Sequence, residues 1–327
     1  MNELLSFFKC DEATWKVTKT AETSLTVTEI SKKSNVNIST VSRILSEIKQ
    51  GSKGIALRFE IDMEKAGIIN VATISKRYVK RLPFLQSFRV IRVLGRKLYL
   101  YTALLPGERV ISEWLSNFEE KSLTVRGLER KFWSPSSPLT VYSGEFVQGC
   151  PEQITVSERD PPKLPEVGVT MDEIDVLLYW GKSRWPFISL REIAKESEKY
   201  LGRNVSHQLL SWHFRNHLLK LWNKNSVRLY VDLNKIPYRL LYIEGGDAPA
   251  VARALVQLPW FHTAYIDLDR AIVSGQPPCD SMLPLYKQLN ELDVNTLEFI
   301  MEPSLMRVFP IFNLLMSITK KLEVTAE

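Results

Sequence analysis

The chain has 327 residues, 45% of them hydrophobic and 24% charged, with a formal net charge of +6. That composition suits folded domains with real cores, and the length suits two or more, since one core stops growing near ~250 residues. No apolar run nears the ~20 residues of a membrane span, and the N-terminus has Glu3, Asp11 and Glu12 without a basic segment, so neither a membrane anchor nor a secretory signal is expected.

The cysteines, Cys10, Cys150 and Cys279, are odd in number and widely spaced. Neither a disulfide framework nor a zinc knuckle is expected, and a reducing cytoplasm fits. The charge is uneven. Residues 1–150 hold 23 Lys+Arg against 15 Asp+Glu, whereas residues 151–327 hold 20 against 22. Residues 199–231 contain no acid but include Lys199, Arg203, Arg215, Lys220, Lys224 and Arg228, a local patch that attracts polyanions.

In chain order, residues 28–34 read as a short helix and Asn35-Val36-Asn37 as a turn. Asparagine tolerates the left-handed backbone such a turn needs. Ser39 reads as the N-cap of a second helix, in which Val41, Ile44, Leu45 and Ile48 form one apolar stripe. Thr40, Ser42, Arg43, Ser46 and Lys49 then point outward. Small polar and basic side chains there suit a helix that offers donors to a major groove. Arg43 would bind guanine, and Ser39 or Thr40 would hold phosphates at the helix start. Residues 51–54 and the strand-like 55–61 predict a wing-like hairpin, with Lys53 at a phosphate. A strand over 68–74, a helix over 75–82, strands over 87–94 and 97–104 around Gly95, a helix over 108–118 and a last strand within 122–132 follow.

Residues 134–169 carry Pro135, Pro138, Pro151, Pro161, Pro162 and Pro165, a linker composition with room for a short strand at 141–147. Thr170 and Glu173 have capping-box spacing ahead of an apolar helix. A second helix spans 189–200, and after a long turn Ser206 caps a third through Leu209, Leu210, Phe214, Leu218 and Leu221. Its outer side would show His207, Gln208, Ser211, Trp212, Arg215, Asn216 and Lys220. His213 and His217 are four apart, but no Cys or HExxH pattern completes a ligand set, so no metal and no cofactor is expected. Strands over 239–244, 263–268, 271–274 and 295–301 then alternate with helices over 248–258 and 281–292.

The two halves match. Thr28-Glu-Ile-Ser-Lys-Lys-Ser34 aligns with Arg191-Glu-Ile-Ala-Lys-Glu-Ser197, Leu57-Arg-Phe-Glu with Val227-Arg-Leu-Tyr, and Arg81-Leu-Pro-Phe with Gln257-Leu-Pro-Trp. The matches come in order with a slowly drifting offset, which points to a duplication. The implied division is a helix-turn-helix domain at 1–54, a ferredoxin-like domain at 55–133, a linker at 134–169, a second helix-turn-helix domain at 170–226 and a second ferredoxin-like domain at 227–327. The fold class is α+β: two copies of a winged helix-turn-helix domain followed by a ferredoxin-like βαββαβ unit.

Residues 38–45, Ile-Ser-Thr-Val-Ser-Arg-Ile-Leu, resemble a recognition helix of the lactose-repressor type. A helix-turn-helix, a connecting strand and a βαββαβ unit together resemble the leucine-responsive regulatory protein (Lrp/AsnC, feast/famine) family, twice over. Asp62-Met-Glu-Lys-Ala-Gly67 is similar to that family's Asp-Pro-x-x-x-Gly turn, with Met63 in place of proline, and Arg81-Leu-Pro-Phe84 to its Leu-Pro ahead of the second strand. Gly95 falls at its Gly-x-Tyr/Phe-Asp turn, but Arg96-Lys97-Leu98-Tyr99 lacks the acid, and Asp269-Arg270 in the second half lacks the glycine. The amino-acid effector that the resemblance implies is therefore not expected. Siroheme decarboxylases resemble the same layout and use His and Arg on an anionic porphyrin. His213-Phe-Arg215 is the only His-x-Arg here.

No GxSxG, P-loop or GxGxxG is present, so no catalytic residue and no enzymatic activity is expected. The expected function is a cytoplasmic, nucleoid-associated transcription regulator that binds double-stranded DNA. Ser39, Thr40, Ser42, Arg43, Ser46, Lys49 and Lys53 would contact DNA in the first copy, and Ser206, His207, Gln208, Ser211, Arg215 and Lys220 in the second. The sheets would pair within or between chains. The alternative is a scaffold for a transcription or replication protein, with Trp212, Leu221 and Trp222 as anchors.

Overall fold

The computed structural model describes residues 4–119, 122–163 and 166–326. Glu3 and Pro165, named above, lie outside them. The fold is mixed α/β and is organised by one large antiparallel sheet. Among the described residues, no helix is long and apolar enough to cross a membrane.

The first half begins with β1 (Leu5–Lys9) and helices α1 (Glu12–Ala21), α2 (Val27–Ser34) and α3 (Ile38–Lys49). Asn35 takes the left-handed conformation expected of it, with φ 55°. The cap of α3 is Asn37, not Ser39: the Asn37 Oδ1 accepts the Ser39 N–H at 3.0 Å and its hydroxyl at 2.8 Å. An Asn two residues earlier takes the cap position, which leaves Ser39 inside the helix. Val41, Ile44, Leu45 and Ile48 are buried as the stripe requires.

Next come β2 (Ile55–Ile61), a tight helical turn (Met63–Ala66), β3 (Ile68–Ser75), β4 (Leu85–Val93), β5 (Arg96–Pro106), α4 (Arg109–Leu115), β6 (Leu123–Gly127) and β7 (Glu129–Phe132). Between β4 and β5, Leu94 and Gly95 both have positive φ, 46° and 76°. That pair makes the tight turn whose twist matches the flanking strands. The helix expected over 75–82 is absent. Tertiary partners hold that segment instead: Glu119 accepts the Lys76 N–H at 2.7 Å, and the Tyr101 hydroxyl accepts the Val79 N–H at 2.7 Å.

The proline-rich segment folds. Strands β8 (Thr140–Tyr142) and β9 (Phe146–Gly149) form a hairpin that pairs with β1. It is pinned to the second half, where Ser137 donates its hydroxyl to the Gln257 carbonyl at 2.6 Å. Gly149 lies so close to Trp260 that a Cβ would sit 2.5 Å from the indole.

The second half continues with α5 (Glu173–Arg184), α6 (Leu190–Leu201), α7 (His207–His213), a π-helical turn (Phe214–Leu218), α8 (Leu219–Leu221) and β10 (Trp222–Leu229). The cap of α5 is Asp172 in a box with Asp175, not Thr170 with Glu173. The single helix expected through Leu221 is broken by the π-turn, which rotates Arg215 and Lys220 relative to His207 and Gln208. Then follow β11 (Arg239–Glu244), α9 (Ala248–Leu255), β12 (Phe261–Ile266), β13 (Arg270–Gly275), α10 (Cys279–Leu289), β14 (Asn295–Val308) and α11 (Ile311–Ala326). Sequence reading missed α11, whose Phe312, Leu315 and Ile318 are buried.

The large sheet runs β6-β3-β5-β4-β14-β11-β13-β12-β7. In each half the fourth strand lies beside the first, then come the third and the second. The last strand of each half also changes partner midway. In the first half, 123–127 pairs with β3 and 129–132 with β12. In the second, 295–300 pairs with β11, and the strand continues past a bulge onto β4. Only Leu128 separates β6 from β7, so the sheet closes on itself. Tyr242, Ile272, Ile91, Leu100 and Phe299 fill its interior.

The wing expected over 51–61 does not form. Strand β2 pairs antiparallel with β10 from the other half, and Leu57 lies opposite Val227, the two residues aligned in the repeat. Phe59, Ile61, Val227 and Leu229 are buried by this ribbon. A strand pairing with its counterpart needs no hairpin to satisfy its edge.

Candidate functional site: an arginine-lined cavity between the halves

The ribbon lies over the closed sheet, and between them is a cavity of about 560 Å³. Its volume is typical of a ligand pocket. Alternation along the ribbon sends Arg58 and Glu60 of β2, and Arg228 with the following Tyr230, into it. Arg89 of β4, Arg130 of β7 and Tyr265 of β12 line it from the sheet, Tyr179 of α5 from the side, and Tyr238 from just before β11.

Four guanidiniums thus face one space. Glu60 is the acid on the wall. Its carboxylate lies 3.3 Å from Arg130 Nη2 and 3.5 Å from Arg228 Nη2, and accepts the Ser226 hydroxyl at 2.8 Å. Glu64 sits behind Asn70, whose amide donates to it at 3.0 Å, and burial pushes its carboxyl up against the pull of Arg130. Among the described residues no ion pair joins Arg58 or Arg89 to an acid. The charge of Arg228, and then burial, lowers the Arg58 pKa. The cavity is therefore positive even with both carboxylates ionised. The buried Nε atoms of Arg89, Arg130 and Arg228 have no hydrogen-bond partner in the protein. Buried guanidinium donors left unmatched are costly, and four guanidiniums facing one space offer an anion a strong countercharge.

The tyrosines add neutral donors. Burial pushes the Tyr179 and Tyr238 hydroxyls up, so both stay protonated near neutrality. Tyr238 Oη lies 3.2 Å from His262 Nδ1, and His262 Nε2 lies 2.8 Å from the Leu229 carbonyl. That carbonyl can only accept, so Nε2 carries the hydrogen and Nδ1 accepts from Tyr238. His262 is fully buried. Burial, reinforced by Arg228, lowers its pKa to about 3, so it is neutral.

None of the residues expected to contact DNA lines this cavity, although Arg228 of the acid-free patch over 199–231 does. Ser39, Ser42, Arg43, Ser46 and Lys49 are exposed on α3, and Thr40 is half-buried. Arg43 Nη1 lies 2.7 Å from Glu47 Oε1, and Lys53 lies 3.2 Å from Glu47 and 3.6 Å from Asp11. Both cations are already paired with acids on the same face. In the second half Ser206 caps α7, and His207, Gln208, Arg215 and Lys220 are exposed while Ser211 is half-buried. The His213-Phe-Arg215 motif does not reach the cavity: His213 is buried against Asp175, and Arg215 is exposed. Two signs pointed to the cavity residues: Arg58 and Arg228 occupy the same place in the repeat, and Arg228 belongs to the acid-free basic patch.

No family model and no curated protein matches this chain. Among the solved structures that match it, two do so nearly end to end. The crystal structure of the siroheme decarboxylase NirDL has a TM-score of 0.49 at 11% identity, over 96% of this chain and 99% of that one. The same enzyme in complex with an iron-uroporphyrin III analogue has a TM-score of 0.48 at 9% identity, over 97% and 99%. Both of these structures are of an enzyme, against the expectation that this chain is not one.

Proposed function

We propose that the chain is a tandem Lrp-like protein, each copy a helix-turn-helix followed by a ferredoxin-like unit, that binds a multiply carboxylated ligand of tetrapyrrole class between its copies and decarboxylates it. The carrying observation is the cavity itself: four arginines face it, two of them without an acidic partner among the described residues. Guanidiniums bind carboxylates in fork geometry and hold a polycarboxylate in one orientation. Siroheme, named with the matching enzyme, is a ligand of this class.

In the reaction, the bond between a side-chain carbon and its carboxylate breaks. The electron pair stays on carbon, CO₂ leaves, and the carbon takes a proton from a tyrosine hydroxyl, with solvent restoring that proton. Tyr179 suits this role because it faces the cavity and burial keeps its hydroxyl protonated.

Titration with iron uroporphyrin III, followed in its visible absorption, is expected to saturate at one ligand per chain. The Arg58→Ala/Arg89→Ala double variant is expected to bind at least tenfold more weakly, since each lost charge-assisted bond is worth roughly 1.5–3 kcal/mol. With siroheme, mass spectrometry is expected to show loss of CO₂ units. A wild-type protein that binds neither compound, or a double variant that binds as tightly, removes the reading.

The exposed polar face of α3 supports a second reading, duplex DNA binding through Ser39, Thr40, Ser42, Arg43 and Ser46. Arg43→Ala is then expected to cost about 1–3 kcal/mol at a preferred site, with affinity falling steeply as salt rises. No retention of duplex DNA at low salt removes it. The ion pairs of Arg43 and Lys53 with Glu47 favour the cavity reading.

A further inference from the structure

Away from the cavity, the start of α5 meets the π-helical turn. Asp172, Asp175, His213 and His217 each offer one ligand atom there, and these atoms all lie within 4.8 Å of one another. His213 Nδ1 is 3.1 Å from Asp175 Oδ1 and 3.5 Å from Asp172 Oδ2, and His217 Nδ1 is 2.9 Å from Asp175 Oδ2. Four ligands at the ~2.0–2.2 Å of zinc–nitrogen and zinc–oxygen bonds have tetrahedral edges of roughly 3.3–3.5 Å. The His213–Asp175 and His213–Asp172 spacings are already within a few tenths of an ångström of these edges, and the wider separations, up to 4.8 Å, close by side-chain rotation around an ion.

We infer that these four side chains form a binding site for a divalent transition metal of the zinc class, which ties the N-terminus of α5 to α7 and its π-turn.

Charge supports this. Two carboxylates and two neutral imidazoles around a dipositive ion sum to zero. Without an ion, Asp175 is a fully buried carboxylate whose side-chain partners are two imidazoles. Burying a carboxylate without a full countercharge is expensive. The arrangement leaves the ligand atoms available. Asp172 uses Oδ1 to cap the N–H groups of Ile174 and Asp175, so Oδ2 is left for the ion. The two imidazoles lie with ring centres 4.9 Å apart, and Trp212 packs edge-on against both. The π-turn that begins directly after His213 carries His217, and such insertions recur at functional sites. The side chains of Asp172 and His217 are 43% and 27% exposed, which gives an ion a way in. Two nitrogen and two oxygen donors suit zinc, whereas calcium and magnesium prefer oxygen alone.

The test uses the full chain, stripped with a chelator and titrated with Co²⁺ alone. One equivalent is expected to produce the intense visible bands of four-coordinate cobalt, and Zn²⁺ is expected to abolish them by displacement. Zn²⁺ is also expected to raise the thermal midpoint of the stripped protein. Asp172→Asn keeps a good helix cap while removing the Oδ2 charge, and His217→Ala removes a nitrogen; each is expected to weaken the metal at least tenfold. His207→Ala, on the exposed side of α7, is expected to bind as wild type does. Should His217→Ala misfold by circular dichroism, Asp172→Asn carries the test. Absent cobalt bands, or equal affinity in wild type and Asp172→Asn, overturns the site.

Discussion

Glu60→Gln is expected to destabilise the protein by about 3–5 kcal/mol while tightening its hold on a polyanion. The side chain of Glu60 is 5% exposed and lies between Arg130 and Arg228. Glutamine keeps the shape and can still accept from Ser226, so the change isolates the charge. Removing one partner of a buried ion pair leaves the other uncompensated, and here two guanidiniums lose their shared acid. Arg58, already opposed by Arg228, adds to the repulsion. An anion that enters restores the balance, and its binding stabilises by RT ln(1 + [L]/Kd). Urea unfolding of both proteins, with and without iron uroporphyrin III, measures both effects. Equal stabilities would mean that the arginines do not depend on Glu60, and weaker binding by the variant would mean that the cavity is not an anion site.

Much of the fold was legible because its signals are local. Residues 239–244 are a short apolar run, Leu-Leu-Tyr-Ile, between Arg239 and Glu244, and form β11 over that very span. The repeat carried more information than periodicity did: aligning Leu57 with Val227 identified two residues that face each other in the ribbon. Errors arose where distant partners decide. Residues 75–82 have apolar spacing compatible with a helix, but Tyr101 and Glu119 take up backbone N–H groups that a helix would have used. The apolar run of β14 ends near Met301, yet the strand extends to Val308 because β4 offers its edge. Ser39 looked like a cap because serine caps well, but the helix begins at Ile38, and Asn37 caps it by accepting the N–H of Ser39 itself.

The cavity was not legible, for a physical reason. Arg58, Arg89, Arg130 and Arg228 come from four strands, and no spacing within any one of them sets it apart from an ordinary exposed arginine. What makes them a site is their convergence, which only the closed sheet and the ribbon create. The same holds for Asp172 and Asp175. They lie about 40 residues before His213 and His217, so the histidine pair looked incomplete along the chain. The surface of α3 was legible because a helical surface is read from one short stretch. That legibility favoured the DNA reading from the start.

Acidification is expected to remove about 3 kcal/mol of stability between pH 7 and pH 4 through His262 alone. The sign follows from where the proton binds. Above pH 6.5 the residue is neutral in both the folded and the unfolded chain and contributes nothing. Below 6.5 the unfolded chain takes up a proton there, while the folded chain refuses it until about pH 3. Stability therefore falls with pH across that window, at up to ~1.4 kcal/mol per unit. The refusal is structural: Nε2 is committed as a donor to Leu229, and a second hydrogen on Nδ1 would face the Tyr238 hydroxyl with Arg228 nearby. His262→Gln can make the same two bonds without titrating. It is expected to be less stable than wild type at pH 7 but to lose less on going to pH 4, as read from urea midpoints at both values. Parallel losses in the two proteins would mean that folded His262 accepts a proton, and the Tyr238–His262 pair would then not hold the neutral tautomer that orients the tyrosine.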